Sequence, residues 1–193
     1  MSRNLWEQFP DIRTRDIIIR KMTEADIDAF MEICGSENVY RYTPDFMFTK
    51  NRKTAANNIS QLGGRDFEKK RYIIAGVFLP DQPDKVIGTA EIFGYDKTVN
   101  MVEIGYRINE SYWHRGVATK VIHALVTYLF DGIGINRIQA TVMPENTYSA
   151  KALLKNGFQR EGLIRQGSFW KGQGLVDLEM YSLLKEECSS EKA

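Results

Sequence analysis

The sequence predicts an α/β (α+β) fold: one mixed sheet of about seven strands with helices on both faces. Three observations carry this expectation. From Ala118, the apolar residues Ala118, Val121, Ile122, Leu125, Val126, Leu129 and Phe130 recur at spacings of three and four, the stripe of a helix packed on something apolar. Strand-like runs at 102–108 and 137–142 flank that helix, a βαβ unit that implies a parallel pair with a right-handed crossover. Upstream, the runs 71–79, 85–94 and 101–108 are separated only by short turns, which reads as an antiparallel meander.

The remaining elements follow in order. Residues 16–22, rich in β-branched side chains, read as a first strand. Thr23 followed by Glu24 and Asp26 has the look of an N-cap with an acidic first turn, opening a helix through Ile27, Phe30, Met31 and Ile33 that Gly35 ends. Residues 39–48 carry Tyr40, Tyr42, Phe46 and Phe48 around Pro44, which suits either a substrate pocket or packing under a helix. A polar helix over 50–62 is expected to stop at Gly63-Gly64, and its weak apolar stripe suggests a lid or edge element. In the run 101–108, Val102, Ile104, Tyr106 and Ile108 share one face while Glu103, Gly105 and Arg107 share the other, with Gly105 marking a bulge or a close approach by a ligand. Pro144 to Phe158 has a helix signature, with Asn146 as N-cap and Gly157 after its end. Two last strands, 159–167 and 176–184, flank Phe169 and Trp170, which form either a pocket wall or a hairpin tip.

Composition sets the outer limits. With 193 residues, 43% hydrophobic and 26% charged, the chain suits a single domain over residues 11–184, followed by a polar tail, 185–193, expected to fray. Twenty-six Lys and Arg against 25 Asp and Glu leave a net charge of +1, a balance that advertises neither a nucleic acid nor a membrane surface. No apolar run is long enough to span a bilayer, and residues 1–16 lack the apolar stretch of a secretory signal. Cys34 and Cys188 offer no disulfide framework, and with only His114 and His123 beside them no metal is expected. A cytoplasmic protein is the expectation, and the composition is compatible with a monomer or a homodimer.

Chemistry concentrates at 112–119. A strand leading into a loop with Gly116 and then a helix leaves backbone N–H groups unpaired at the positive end of a helix dipole, a place suited to phosphate. Gly116 lets the main chain approach the anion, Val117 and Ala118 keep the turn narrow, and Arg115 adds a charge. Neither of the common nucleotide loops, G-x-x-x-x-G-K-[ST] or G-x-G-x-x-G, is present.

Taken together, Glu103-Ile104-Gly105-Tyr106, the Tyr-Trp-x-Arg-Gly-x-Ala-Thr loop at 112–119, and Asn146-x-x-Ser149 followed by Asn156-Gly157-Phe158 resemble the GNAT superfamily of acyl-CoA-dependent N-acetyltransferases. Within it the chain is most similar to the RimJ/RimL-like branch, which includes enzymes acetylating the N-termini of ribosomal proteins and relatives acting on small amines. Arg15 to Arg20 resembles that branch's opening strand and Trp170 to Tyr181 its ending, so the resemblance covers about residues 11–184.

The resemblance implies a splayed sheet, acetyl-CoA as cosubstrate, no metal, and an amine acceptor. The loop comprising Trp113, His114, Arg115, Gly116, Val117 and Ala118, running into Thr119, would hold the pyrophosphate of coenzyme A through backbone amides. Trp113 stands where many members carry Gln or Arg, although this branch commonly has an aromatic there. Tyr106 to Ile108 would pair with the pantetheine like an added strand, and an N–H near Ile108 would bond the thioester oxygen, where negative charge develops. Ser149 is the candidate proton donor or thiolate orienter, and Asn146 binds the pantetheine, orients an acceptor or serves as N-cap alone. Glu103 is the first candidate base and Glu91 the second, unless positioning suffices and water takes the proton. The acceptor expected first is a ribosomal-type protein N-terminus. A small-molecule amine acetyltransferase (antibiotic, polyamine or amino acid) and a non-catalytic acyl-CoA-binding module are the rivals.

Overall fold

A computed structural model describes residues 4–170 and 172–190; Lys171, in the expected last turn, and the end of the expected tail lie outside the described residues. The chain begins with β1 (Ile12–Arg13) and β2 (Ile18–Arg20), paired antiparallel. The strand expected over 16–22 is shorter because the turn takes its start. There the Thr14 hydroxyl donates to the Ile17 carbonyl at 3.0 Å and accepts from the Ile17 N–H at 2.9 Å. Two residues are too few to show alternation, so β1 left no signal in the sequence.

The Thr23 N–H donates to the Asp26 carboxylate at 2.8 Å, and a tight turn over Glu24–Asp26 opens α1 (Ile27–Cys34), which ends at Gly35 as expected. Then come α2 (Glu37–Tyr40), capped by Ser36, and α3 (Arg52–Ser60), capped by Asn51. The glycine pair does not stop α3. The helix runs through both in a π-helical turn, Gln61–Arg65, and on into α4 (Asp66–Glu68). A Cβ on Gly63 would lie 2.7 Å from Lys21 Cε, so this glycine makes room for a packed lysine stem. Nor is α3 an edge element: Ala55, Ile59 and Leu62 are buried with Phe30, Ile33 and Phe78. Its core-facing side is small and narrow, which a mostly polar helix hides from a count of apolar residues.

The meander is present as β3 (Tyr72–Phe78), β4 (Gly88–Asp96) and β5 (Met101–Ile108), each antiparallel to the next. No bulge occurs at Gly105, which pairs in register with Glu91; the register shift lies between Phe93 and Asp96. A short turn, Glu110–Tyr112, leads to α5 (Val117–Thr127), prolonged by a π-helical stretch, Tyr128–Ile133. The crossover returns as β6 (Arg137–Val142), parallel to β5. Then α6 (Thr147–Leu154) precedes the hairpin of β7 (Gln159–Trp170) and β8 (Gly174–Leu184), longer than the expected 159–167 and 176–184. The tail does not fray at once: α7 (Lys185–Ser190) continues from β8, and Glu187 accepts from the Leu184 N–H at 2.8 Å and from Gln159 at 2.6 Å.

The eight strands lie in the order β1-β2-β3-β4-β5-β6-β8-β7. Alternation gives each face its own core. On one, Val121, Ile122 and Leu125 of α5 and Leu129 of the π-helical stretch pack on Ile73, Ile92, Ile104 and Ile138. On the other, α1 to α3 cover Ile18, Ile74 and Phe78. Each fully buried aliphatic side chain contributes about 1.5–3 kcal/mol of hydrophobic stabilisation.

Candidate active site

The sheet opens between β5 and β6. Their parallel pairing covers only Met101–Glu103 against Arg137–Gln139, so the second half of β5 has no strand on that side. The Asn109 N–H donates to the Ile87 carbonyl at 2.8 Å, toward the β4 side. Successive residues of a strand alternate their backbone groups, so the Tyr106 and Ile108 N–H groups point the other way, into the opening. The Ile108 carbonyl on that side is already engaged, accepting from Trp113 Nε1 at 2.7 Å. What remains is a short edge of unpaired backbone, the kind of edge to which an extended ligand adds itself.

At the mouth of the opening stands the N-terminus of α5. Gly116 adopts φ 73°, the left-handed conformation that favours glycine, and no side chain caps the helix. The first-turn amides at Val117, Ala118 and Thr119 therefore have no intrahelical acceptor and form a positive helix end. A Cβ at Gly116 would meet nothing within 4 Å, so the approach is open. His114 also has a left-handed backbone, φ 59°, and its ring stands edge-on to Tyr148 at 5.0 Å. The Arg115 guanidinium lies over the Tyr112 ring at 5.5 Å, an engagement the sequence did not suggest for it. Asn156 fixes the spacing of the two helices by donating to the Thr119 carbonyl at 3.2 Å and the Ala152 carbonyl at 2.8 Å.

Across the opening, Asn146 caps α6 as expected, its side-chain oxygen accepting from the Ser149 N–H at 3.3 Å. The cap orients the serine, whose hydroxyl lies 2.8 Å from the Tyr106 hydroxyl. Burial pushes the Tyr106 phenol up to about 12, against the opposing effect of the Ser149 hydrogen bond. It therefore stays protonated through the neutral range and pairs with Ser149 as a hydroxyl.

Glu103 lies on the opposite face of β5 from Tyr106, so the two catalytic candidates, Ser149 and Glu103, are not brought into contact. Glu103 spans the base of the opening: Thr141 on β6 donates to it at 2.8 Å and Gln139 at 3.4 Å. Glu91, the second candidate base, is committed elsewhere. One of its oxygens accepts from Thr89 at 3.0 Å and forms a buried ion pair with Arg107. Burial works against the Arg107 charge, yet Glu91 holds its pKa above the ordinary value. Three contributors went unread in the sequence: the Tyr106 hydroxyl, the Trp113 indole N–H and the Thr141 hydroxyl. Each acts on a partner brought near by the fold or the loop, with no motif of its own. Among the described residues no three His, Cys, Asp or Glu side chains are grouped to hold a metal ion, and no helix is long and apolar enough to cross a membrane.

Comparison with known proteins agrees with this fold. Residues 16–159 match the family model described as an acetyltransferase (GNAT) domain. The uncharacterized N-acetyltransferase p20 of Bacillus licheniformis is 34% identical over 176 residues, 90% of this chain and 96% of that protein. The uncharacterized N-acetyltransferase YoaA of Bacillus subtilis is 32% identical over 179 residues, 92% and 98% of the two chains. The ribosomal-protein-serine acetyltransferase of Escherichia coli is 26% identical over 118 residues, 61% of this chain and 62% of that protein. Among solved structures, a GNAT-family acetyltransferase from Bacillus anthracis superposes with a TM-score of 0.78 at 25% identity, covering 92% of this chain and 99% of that one. Mycobacterium smegmatis RimJ, solved in complex with CoA-disulfide, superposes with a TM-score of 0.81 at 22% identity, covering 97% and 91%. A domain match over most of the chain, with relatives similar along almost their whole length, leads to one conclusion: the chain belongs to the GNAT family and is an N-acetyltransferase that uses acetyl-CoA.

Proposed function

We propose that the acceptor is the N-terminal amine of a protein, of the ribosomal-protein type, and that transfer takes place in the opening between β5 and β6. The observation that carries this reading is the Tyr106–Ser149 hydroxyl pair, 2.8 Å apart, standing beside an unpaired strand edge. The similarity to a ribosomal-protein-serine acetyltransferase supports a protein N-terminus as the acceptor, without carrying over the first residue that protein takes. Acetyl-CoA supplies an acetyl group activated as a thioester.

The free helix end at Gly116 to Thr119, with His114 and Arg115 beside it, suits the pyrophosphate. The Tyr106 and Ile108 edge suits the pantetheine amides, and one of those N–H groups faces the thioester oxygen, where charge grows as the amine attacks. Asn146 holds the first turn of α6, and with it Ser149, in place. Ser149 gives its proton to the departing thiolate, and Tyr106, hydrogen-bonded to it, relays a replacement from solvent, so that both hydroxyls end protonated while Glu103 returns its proton to solvent. Glu103, kept in place by Thr141 and Gln139, takes the proton that the amine loses, through water. A C–N bond forms as a C–S bond breaks, and the two protons balance.

The test measures thiol release from acetyl-CoA with N-terminal peptides of ribosomal proteins and, in parallel, with polyamines, aminoglycosides and free amino acids. Faster turnover on the peptides supports the reading. Turnover confined to the small amines would replace it with a small-molecule acetyltransferase.

A further inference from the structure

The sheet face opposite α5 bears a row of side chains formed by strand register. Tyr72 pairs with Phe93, Phe93 with Glu103, and Glu103 with Gln139, so two aromatic rings lead directly to a carboxylate. Phe46, from the segment between α2 and α3, extends the row outward: its ring lies 5.9 Å from Tyr72, whose ring lies 6.3 Å from Phe93. Phe46 is 42% exposed and Tyr72 38%, and so the rings present apolar surface to solvent.

One rung further along the sheet, Glu91 stands opposite Gly105. Where a Cβ of Gly105 would be, Glu91 Oε2 is 3.4 Å away and Phe93 Cε1 3.5 Å away. Glu91 Oε1 is held by Thr89 and Arg107, which leaves Oε2 facing the bare glycine. Gly105 thus lies against one carboxylate and one aromatic edge, with Glu103 two residues earlier on the same face of β5 and Tyr106 immediately after it.

We propose that the surface around Gly105 and the aromatic row form the acceptor subsite, selecting a primary amine that carries an apolar group, an aromatic or large aliphatic one above all. The ammonium rests over Gly105 between Glu91 and Glu103, and its apolar substituent lies along Phe93, Tyr72 and Phe46. The Glu103 carboxylate supplies the charge that complements a cation, Glu91 Oε2 supplies an acceptor while its charge is balanced by Arg107, and the exposed rings gain by being covered. Glu91 is here a binding residue fixed by Arg107, which leaves the proton to Glu103. An N-terminal Phe, Leu or Met residue and a small arylalkylamine share this chemistry. The inference rests on the reading of the Tyr106 edge as the place where the acetyl group is held.

The test compares kcat/KM for peptides differing only in a first residue of Phe, Leu, Ser or Asp, and for phenethylamine against ethanolamine. Phe46→Ala and Tyr72→Ala are the variants, both at half-exposed positions where truncation leaves the core intact. The expected result is about a ten-fold preference for the apolar member of each pair, lost in either variant through a raised KM. The peptide and small-amine arms show which source the enzyme prefers. Equal rates for apolar and polar acceptors, or a preference indifferent to both variants, would overturn the proposal. If no amine is turned over, calorimetry of phenethylamine with the CoA-saturated protein decides. Binding abolished by Phe46→Ala keeps the subsite while the proposed reaction fails, and no binding at millimolar amine removes the subsite.

Discussion

Ser149 is held by two neighbours of different kinds, a backbone cap from Asn146 and a hydroxyl from Tyr106. If the two hydroxyls act as one proton path, Ser149→Ala lowers kcat by about 10²-fold while the dissociation constant of coenzyme A stays as it was. Tyr106→Phe then gives a smaller loss, and the double variant is no slower than Ser149→Ala alone. Steady-state rates with calorimetric binding check all three, and additive losses would separate the residues. At this scale the sequence was half legible. Asn146 is read as a cap from the local helix signature, and Ser149, one turn on, from the family resemblance. The Tyr106 hydroxyl lies 43 residues from Ser149, and nothing local announces the contact. The same holds for Glu91, whose partner Arg107 sits 16 residues away on the neighbouring strand.

In the proposed reading, the loop from the end of β5 into α5 is the element on which cosubstrate binding turns. Its geometry depends on the Trp113 indole, which donates to the Ile108 carbonyl and so fixes the loop against the strand edge it follows. Trp113→Phe keeps a ring and removes the donor. A lost hydrogen bond of about 1 kcal/mol predicts roughly five-fold weaker coenzyme A binding by calorimetry, with stability little changed. The α5 helix and its glycine were legible because a long apolar stripe and a start signal coincide. α3 was legible as a helix but not as a core element, since Ala55 and Ile59 make a narrow buried side on an otherwise polar helix, and its end was not legible, since the glycines after it are accommodated without ending it.

At the largest scale, the described residues form an eight-stranded sheet with a core on each face and an opening in the middle. The mixed topology follows from the meander and the βαβ unit, both evident in the apolar pattern. Where the sheet opens does not follow from that pattern, because the second half of β5 is as strand-like as its first. The half beyond the opening is tied by Arg137 on β6 to Glu161 on β7, at 2.8 Å, with Ser182 on β8 donating to the same carboxylate. Arg137 first and Ser182 second bring the Glu161 carboxyl down to about 2 from 4.5. A depressed folded-state value means stability that is present above the unfolded value and lost as pH falls, here between 4.5 and about 2. Glu161 is exposed, so solvent screens the pair and the contribution is modest. Melting temperatures against pH at low salt should show Glu161→Gln below the native protein at neutral pH and converging with it toward pH 2. A constant gap across that range would contradict the linkage.

The central claim is that the open β5 edge and the free N-terminus of α5 together receive coenzyme A. Amide hydrogen exchange, resolved by residue with and without saturating coenzyme A, tests it most directly. The account predicts slowed exchange at the Tyr106 and Ile108 amides and at Gly116 to Thr119, with β2, β3 and the β7–β8 hairpin unchanged. Saturable binding that protects the hairpin and leaves Tyr106, Ile108 and the first turn of α5 as they were would contradict it.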